Sequence, residues 1–198
     1  HHGIFDLSFL SSMPNMTILA PKDADELRAM LAYAFKLGTP CAIRYPRGEI
    51  PAASRQIPVQ PIDGSAEICR AGSDATIIAV GKMMTNAAMA VDLLQEGGKS
   101  IELINARFIK PLDEKTILNS LKKTGILITI EDNTLNGGFG SSVMMMIADA
   151  DLKDIKVHAL GWPDKFIQHG SNSELEKIYK LDPQGLADKV CEIIEGKN

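Results

Sequence analysis

The sequence predicts an α/β protein in two parts: a fragment of an α/β unit over residues 1–48, a linker over 49–64, and a second unit over 65–198. Three observations predict it. Strand-sized apolar runs alternate with helix-period stretches along most of the chain, the pattern of a mainly parallel sheet with helices on both faces. Hydrophobic residues make up 45% and charged residues 23% of the 198, ordinary for a chain that buries a core. Between the parts, Pro51, Pro58 and Pro61 with Ala52, Ala53, Ser54 and Gln56 cannot build a helix or a central strand, so the segment reads as an extended linker.

Each element follows from local signals. Thr17-Ile18-Leu19-Ala20 is a short apolar run ending at Pro21 and reads as a buried strand. Asp23 can accept from the open N–H groups of a new helix, with Glu26 placed to reciprocate. Leu27, Met30, Leu31, Ala34 and Leu37 form its apolar face, and Gly38 ends it. Residues 41–45 are the next strand, stopped by Pro46 and Gly48. In the second part, strands are expected over 75–80, 101–106, 126–130 and 157–160. Helices are expected over 85–96, 113–123 and about 140–150, then one boxed by Ser173 and Glu176, and a last one begun by Asp182-Pro183 and carrying Leu186, Val190 and Ile193.

Composition excludes several classes. A net charge of −4 without a Lys/Arg-rich run argues against nucleic acid or an anionic membrane as partner, and no apolar run has the length of a membrane span. Cys41, Cys69 and Cys191 are odd in number and widely spaced. They suit buried thiols in a reducing compartment, the cytoplasm, rather than a disulfide framework or a metal site.

Three stretches could carry chemistry. Arg44-Tyr45-Pro46-Arg47-Gly48 lies at the carboxyl end of a strand, where open α/β sheets place ligands. A guanidinium there could grip a phosphate or carboxylate, and a surface arginine paired with an acid is the alternative. Glu131-Asp132-Asn133 followed by Gly137-Gly138-Phe139-Gly140-Ser141 reads as a strand end and a glycine-rich helix entry. It could form an anion nest, or serve tight helix packing. In Arg107-Phe108-Ile109-Lys110-Pro111-Leu112-Asp113, Asp113 is a helix cap, while Arg107 is free for a contact. His158 and His169 lack a partner at ligand spacing and read as structural; Met144-Met145-Met146 reads as core or interface filler. No complete catalytic set is present, so much of any active site lies elsewhere.

The string HHGIFDLSFLSSMPNM, the later AIRYPRG, ARFIKPLD and EDNTLNGGFGSS together resemble the transketolase-like, thiamine diphosphate-dependent family over the whole chain. Within it they are most similar to the enzymes that join pyruvate to glyceraldehyde 3-phosphate. The resemblance implies the second half of a pyrimidine-binding domain over 1–48 and a transketolase C-terminal domain over 65–198. It places His1 on the histidine of a T-H-Q-G or T-H-H-G stretch leading into F-D-L, so His1 and His2 read as native residues rather than the stump of a purification tag.

What the resemblance implies for function is specific. The cofactor would be thiamine diphosphate with Mg2+, the diphosphate, metal and aminopyrimidine ligands lying upstream of residue 1, so no cofactor or metal ligand is expected in this chain. The full protein would be a homodimeric cytoplasmic transferase serving isoprenoid precursor, thiamine and pyridoxal synthesis, and this chain alone would be inactive. His1 would shuttle protons at the donor-derived hydroxyl, and Arg47 would hold the acceptor's phosphate with Arg44 as helper. Another transketolase-like carboligase, or a non-catalytic assembly or regulatory module, is the alternative.

Overall fold

The computed structural model describes residues 3–46, 60–150, 152 and 154–196. In chain order its elements are α1 Asp6–Ser11, β1 Thr17–Leu19, α2 Ala24–Leu37, β2 Cys41–Ile43, β3 Glu67–Arg70, β4 Ala75–Ala79, α3 Met83–Glu96, β5 Ile101–Asn105, β6 Phe108–Lys110, α4 Glu114–Thr124, β7 Ile126–Thr134, α5 Phe139–Asp149, β8 Lys156–Trp162, α6 Asn172–Ile178 and α7 Pro183–Glu195.

The fold class is the expected one. A five-stranded sheet of order β3-β5-β4-β7-β8 forms the second unit, parallel at β5-β4-β7-β8 with β3 antiparallel at one edge. One core packs α3 and α7 on one face of the sheet, through Met83, Ala87, Val91, Leu186 and Val190. The other face carries α4 and α5 through Ile117, Leu121, Phe139 and Val143. Strands buried on both faces explain why 75–80 and 126–130, broken only by Thr76 and Thr129, are near-continuous apolar runs rather than alternating ones.

The two units are more tightly joined than a linker suggests. A second sheet has the order β2-β1-β6: β1 runs parallel to β2 in the first unit and antiparallel to β6, which belongs to the second. The residues Phe108-Ile109-Lys110, read from sequence only as the approach to a capped helix, thus cross back to the first unit, where Phe108 packs with Leu19 and Met30. Leu7, Ile18 and Ala20 of the first unit enter the core beneath α4 and α5, and Ile4 enters the core beneath α3 and α7. The linker expected over 49–64 lies mostly outside the described residues.

Local differences have physical reasons. The chain offers two overlapping S-x-x-E registers, and the helix start uses Ser171 with Glu174, not Ser173 with Glu176; Glu176 instead binds Lys82 at 2.9 Å. None of the cysteines is fully buried, and Cys69 is exposed because β3 is an edge strand. Met144 and Met145 face outward from α5, 39% and 69% exposed, so only Met146 joins the core margin. Phe35 of α2 is 88% exposed. Among the described residues, no helix is long and apolar enough to cross a membrane.

Candidate functional site at the seam between the units

Of the site residues read from the sequence, His1 and Arg47 lie outside the described residues, and Arg44 does not. Arg44 follows β2 and reaches across the seam. Its Nη2 lies 2.6 Å from Asp132 Oδ2 and donates to the Asp132 carbonyl at 3.0 Å and to the Gly3 carbonyl at 3.4 Å. The segment after His1-His2 and the loop leading to Arg47, about forty residues apart in sequence, therefore meet at the Gly3–Arg44 contact.

The floor of this seam is the carboxyl end of the parallel sheet. Lys82 follows β4, Asp132 lies at the end of β7 and Trp162 closes β8. Asp132 is the hub: besides Arg44 it takes Lys82 at 3.3 Å and the Trp162 indole N–H at 2.8 Å. A cleft of about 320 Å³ opens here, lined among others by Gly3, Asp6, Tyr45, Lys82 and Asn172. Asn133 ties the entry helix down, accepting from the Leu7 N–H at 3.1 Å and donating to Ser8 Oγ at 2.7 Å. The sequence places Asp132 and Asn133 in a stretch that could carry chemistry but gives neither a role of its own. Their position in a strand between Ile130 and a glycine-rich helix entry was the available signal.

The glycine-rich entry is a nest, but its anion is the protein's own. Glu131 accepts from the backbone N–H groups of Phe139 and Gly140, both at 2.8 Å, at the start of α5. A Cβ on Gly138 would collide with the Glu131 carboxylate and sit 2.6 Å from the Thr134 carbonyl; one on Gly140 would meet Thr129 Oγ1 at 2.6 Å and Ala159 at 2.7 Å. Packing and anion binding are here one arrangement. Burial pushes the Glu131 carboxyl up to about 7, against the two backbone N–H groups that favour its charge.

Arg107, expected to be free for a contact, is buried. Its Nε binds Glu26 at 2.8 Å, and Glu26 also takes Asn105 at 2.9 Å and Lys22 at 3.2 Å. These side chains come from both units and form a second, structural seam. Among the described residues no three or more His, Cys, Asp or Glu side chains could hold a metal ion. The N–H groups of the glycine-rich nest are taken by Glu131, so that nest does not fit a cofactor's diphosphate.

The chain is thus an α/β protein in which the carboxyl end of a mostly parallel sheet is packed against a second α/β unit. The chain belongs to the transketolase family: the model of the transketolase C-terminal domain matches residues 64–186 and that of the transketolase pyrimidine binding domain residues 1–52. Within that family it is similar to curated 1-deoxy-D-xylulose-5-phosphate synthases. It is 42% identical over 96% of its length to synthase 2 of Geobacter sulfurreducens and 44% identical over 91% to the synthase of Desulforudis audaxviator. It spans about a third of those proteins' lengths, 31% and 29%. A solved structure titled "Split gene transketolase, inactive beta4 tetramer" superposes with a TM-score of 0.88 at 28% identity, covering 98% of this chain and 63% of that one.

Proposed function

We propose that this chain is the carboxyl-terminal part of a 1-deoxy-D-xylulose-5-phosphate synthase. The full protein would condense pyruvate with glyceraldehyde 3-phosphate, releasing one CO2 and forming one 1-deoxy-D-xylulose 5-phosphate. Thiamine diphosphate with Mg2+ would supply the electron sink, held by residues outside those described. His1 would move a proton at the donor-derived hydroxyl, Arg47 would bind the acceptor phosphate and Arg44 would assist it. The full protein would act in the cytoplasm as a homodimer, in isoprenoid precursor, thiamine and pyridoxal synthesis.

The observation that carries this reading is the meeting of the two segments flagged for chemistry, at Gly3 and Arg44, in a chain so similar to synthases of that name. The full-length protein, given thiamine diphosphate, Mg2+, pyruvate and glyceraldehyde 3-phosphate, should release CO2 and the 1-deoxy sugar phosphate in equal amounts. The 198-residue chain alone should give no turnover. Transfer from a ketose phosphate with no CO2 release would instead assign it to a transketolase. The likeness to a split-gene transketolase favours one variant, in which this chain is one of two gene products. Activity would then appear only on mixing with a separate cofactor-binding chain.

A further inference from the structure

The strand order β3-β5-β4-β7-β8 reverses direction beside β4: the chain leaves β4 for β5 on one side, then returns to β7 on the other. In open sheets the crevice outside the carboxyl ends at such a reversal is where ligands bind. Lys82 and Asp132 stand at this crevice, yet the first unit occupies it. Ile4 is 4% exposed within the second unit's core, the Thr134 N–H donates to the Ile4 carbonyl at 2.6 Å, and Arg44 enters to bind Asp132.

We propose that Asp132 is a positioning residue of the synthase: it holds the Arg44 guanidinium in place, and so sets affinity for the phosphorylated aldehyde that Arg44 helps to bind. This rests on the function proposed above. The carboxylate is suited to the task because its two oxygens are separately committed. Oδ2 faces Arg44, while Oδ1 is held by the Trp162 indole and Lys82. A side chain 7% exposed and anchored by Lys82 at the start of α3 and by Trp162 of β8 has little freedom to rotate, so the guanidinium it grips, 12% exposed, inherits that rigidity. Lys82 is itself braced by Glu176 at 2.9 Å, and Asp6 also lines the cleft. Loosening such a support displaces a binding group without removing it, a loss that falls on the substrate held there.

The test uses the full-length protein. Asp132→Asn keeps an acceptor for the Trp162 N–H but removes the negative charge that faces Arg44. The efficiency for glyceraldehyde 3-phosphate should fall about tenfold, mainly through KM, with the efficiency for pyruvate changed less than about twofold. Asp132→Glu should recover part of the loss. Equal losses for both substrates, or none, overturn the proposal. A second arm is independent of turnover: labelling of Arg44 by phenylglyoxal, read by mass spectrometry, should rise several-fold in Asp132→Asn. If the wild-type protein makes no 1-deoxy sugar phosphate, the proposed function fails, and unchanged labelling would then show separately that Asp132 does not hold Arg44. If Asp132→Asn does not fold, Asp132→Glu carries the test: a carboxylate longer by one methylene must shift KM for the aldehyde phosphate, and wild-type kinetics in it overturn the proposal.

Discussion

Replacing Glu26 by alanine should destabilise the protein by about 3–5 kcal/mol, the cost of leaving a buried charge without its partner. Glu26 is fully buried and Arg107 1% exposed. The Glu26 carboxylate accepts from the Lys22 backbone N–H at 2.7 Å, from Asn105 at 2.9 Å and from Arg107 Nε at 2.8 Å. Among the described residues, its loss leaves Arg107 the fringe contacts to Glu67 at 3.4 Å and the Pro61 carbonyl at 3.3 Å. The neighbouring charges respond to the same network. Burial pulls the Lys22 ammonium down, but Glu26 and Glu67 outweigh it and hold its pKa above the usual value. Because Glu26 comes from α2 and Arg107 from the second unit, the damage concentrates at the seam. Urea denaturation should show the loss, and Glu26→Met with Arg107→Met should cost less than Glu26→Ala alone, since no orphan charge remains. A loss below about 1 kcal/mol, the range of exposed pairs, would contradict the buried network.

The second large effect is on pH dependence. Burial raises the Glu131 carboxyl from 4.5 to about 7 in the folded chain. Between those values the folded protein keeps a proton that the unfolded chain has released, so stability falls as pH rises. The contribution is fully present below about pH 4.5 and is lost by about pH 7, a change of roughly 3 kcal/mol. Glu67, held below the usual range, slopes the other way at acid pH: burial pushes its carboxyl up, but its bonds to Lys22 and Asn105 and the charge of Arg107 outweigh it. The comparison with Glu131→Gln isolates the effect, because an amide does not titrate. The stability gap between wild type and Glu131→Gln should shrink as pH rises from 5 to 8. Parallel curves would contradict a raised Glu131 carboxyl. Thr129 Oγ1, buried without a hydrogen-bond partner among the described residues, flanks the same glycine cradle.

Much of the fold was legible because its signals are local. Asp23 caps α2 by accepting from the Glu26 N–H at 2.8 Å, Asp113 caps α4, and Gly38 and Gly125 end their helices at left-handed φ of 68° and 71°. What stayed hidden depends on partners far away in sequence. Glu26, read as half of a capping box, turns instead to Arg107, 81 residues on. Phe108-Ile109-Lys110 is too short to signal a strand and forms one only because β1 presents a free edge. The glycine-rich loop allowed both packing and anion binding, and only the fold reveals that the anion is Glu131. The place of Asp132 at a strand end before a glycine-rich helix entry marks it as a candidate, but its role stays hidden, since Arg44, Lys82 and Trp162 reach it from three separate stretches.

The central claim is that the loop after β2 serves an acceptor carrying a phosphate, and Arg47→Ala in the full-length protein tests it most directly. The measurement is the efficiency with glyceraldehyde 3-phosphate and with glyceraldehyde, at saturating pyruvate. A charge-assisted contact to phosphate is worth about 1.5–3 kcal/mol, so the phosphorylated substrate should lose roughly ten- to hundredfold. Arg47→Lys should recover only part, since an ammonium keeps the charge but not the fork. Glyceraldehyde, with no phosphate to lose, should scarcely change. Equal losses with both aldehydes would contradict the account and make Arg47 a structural residue.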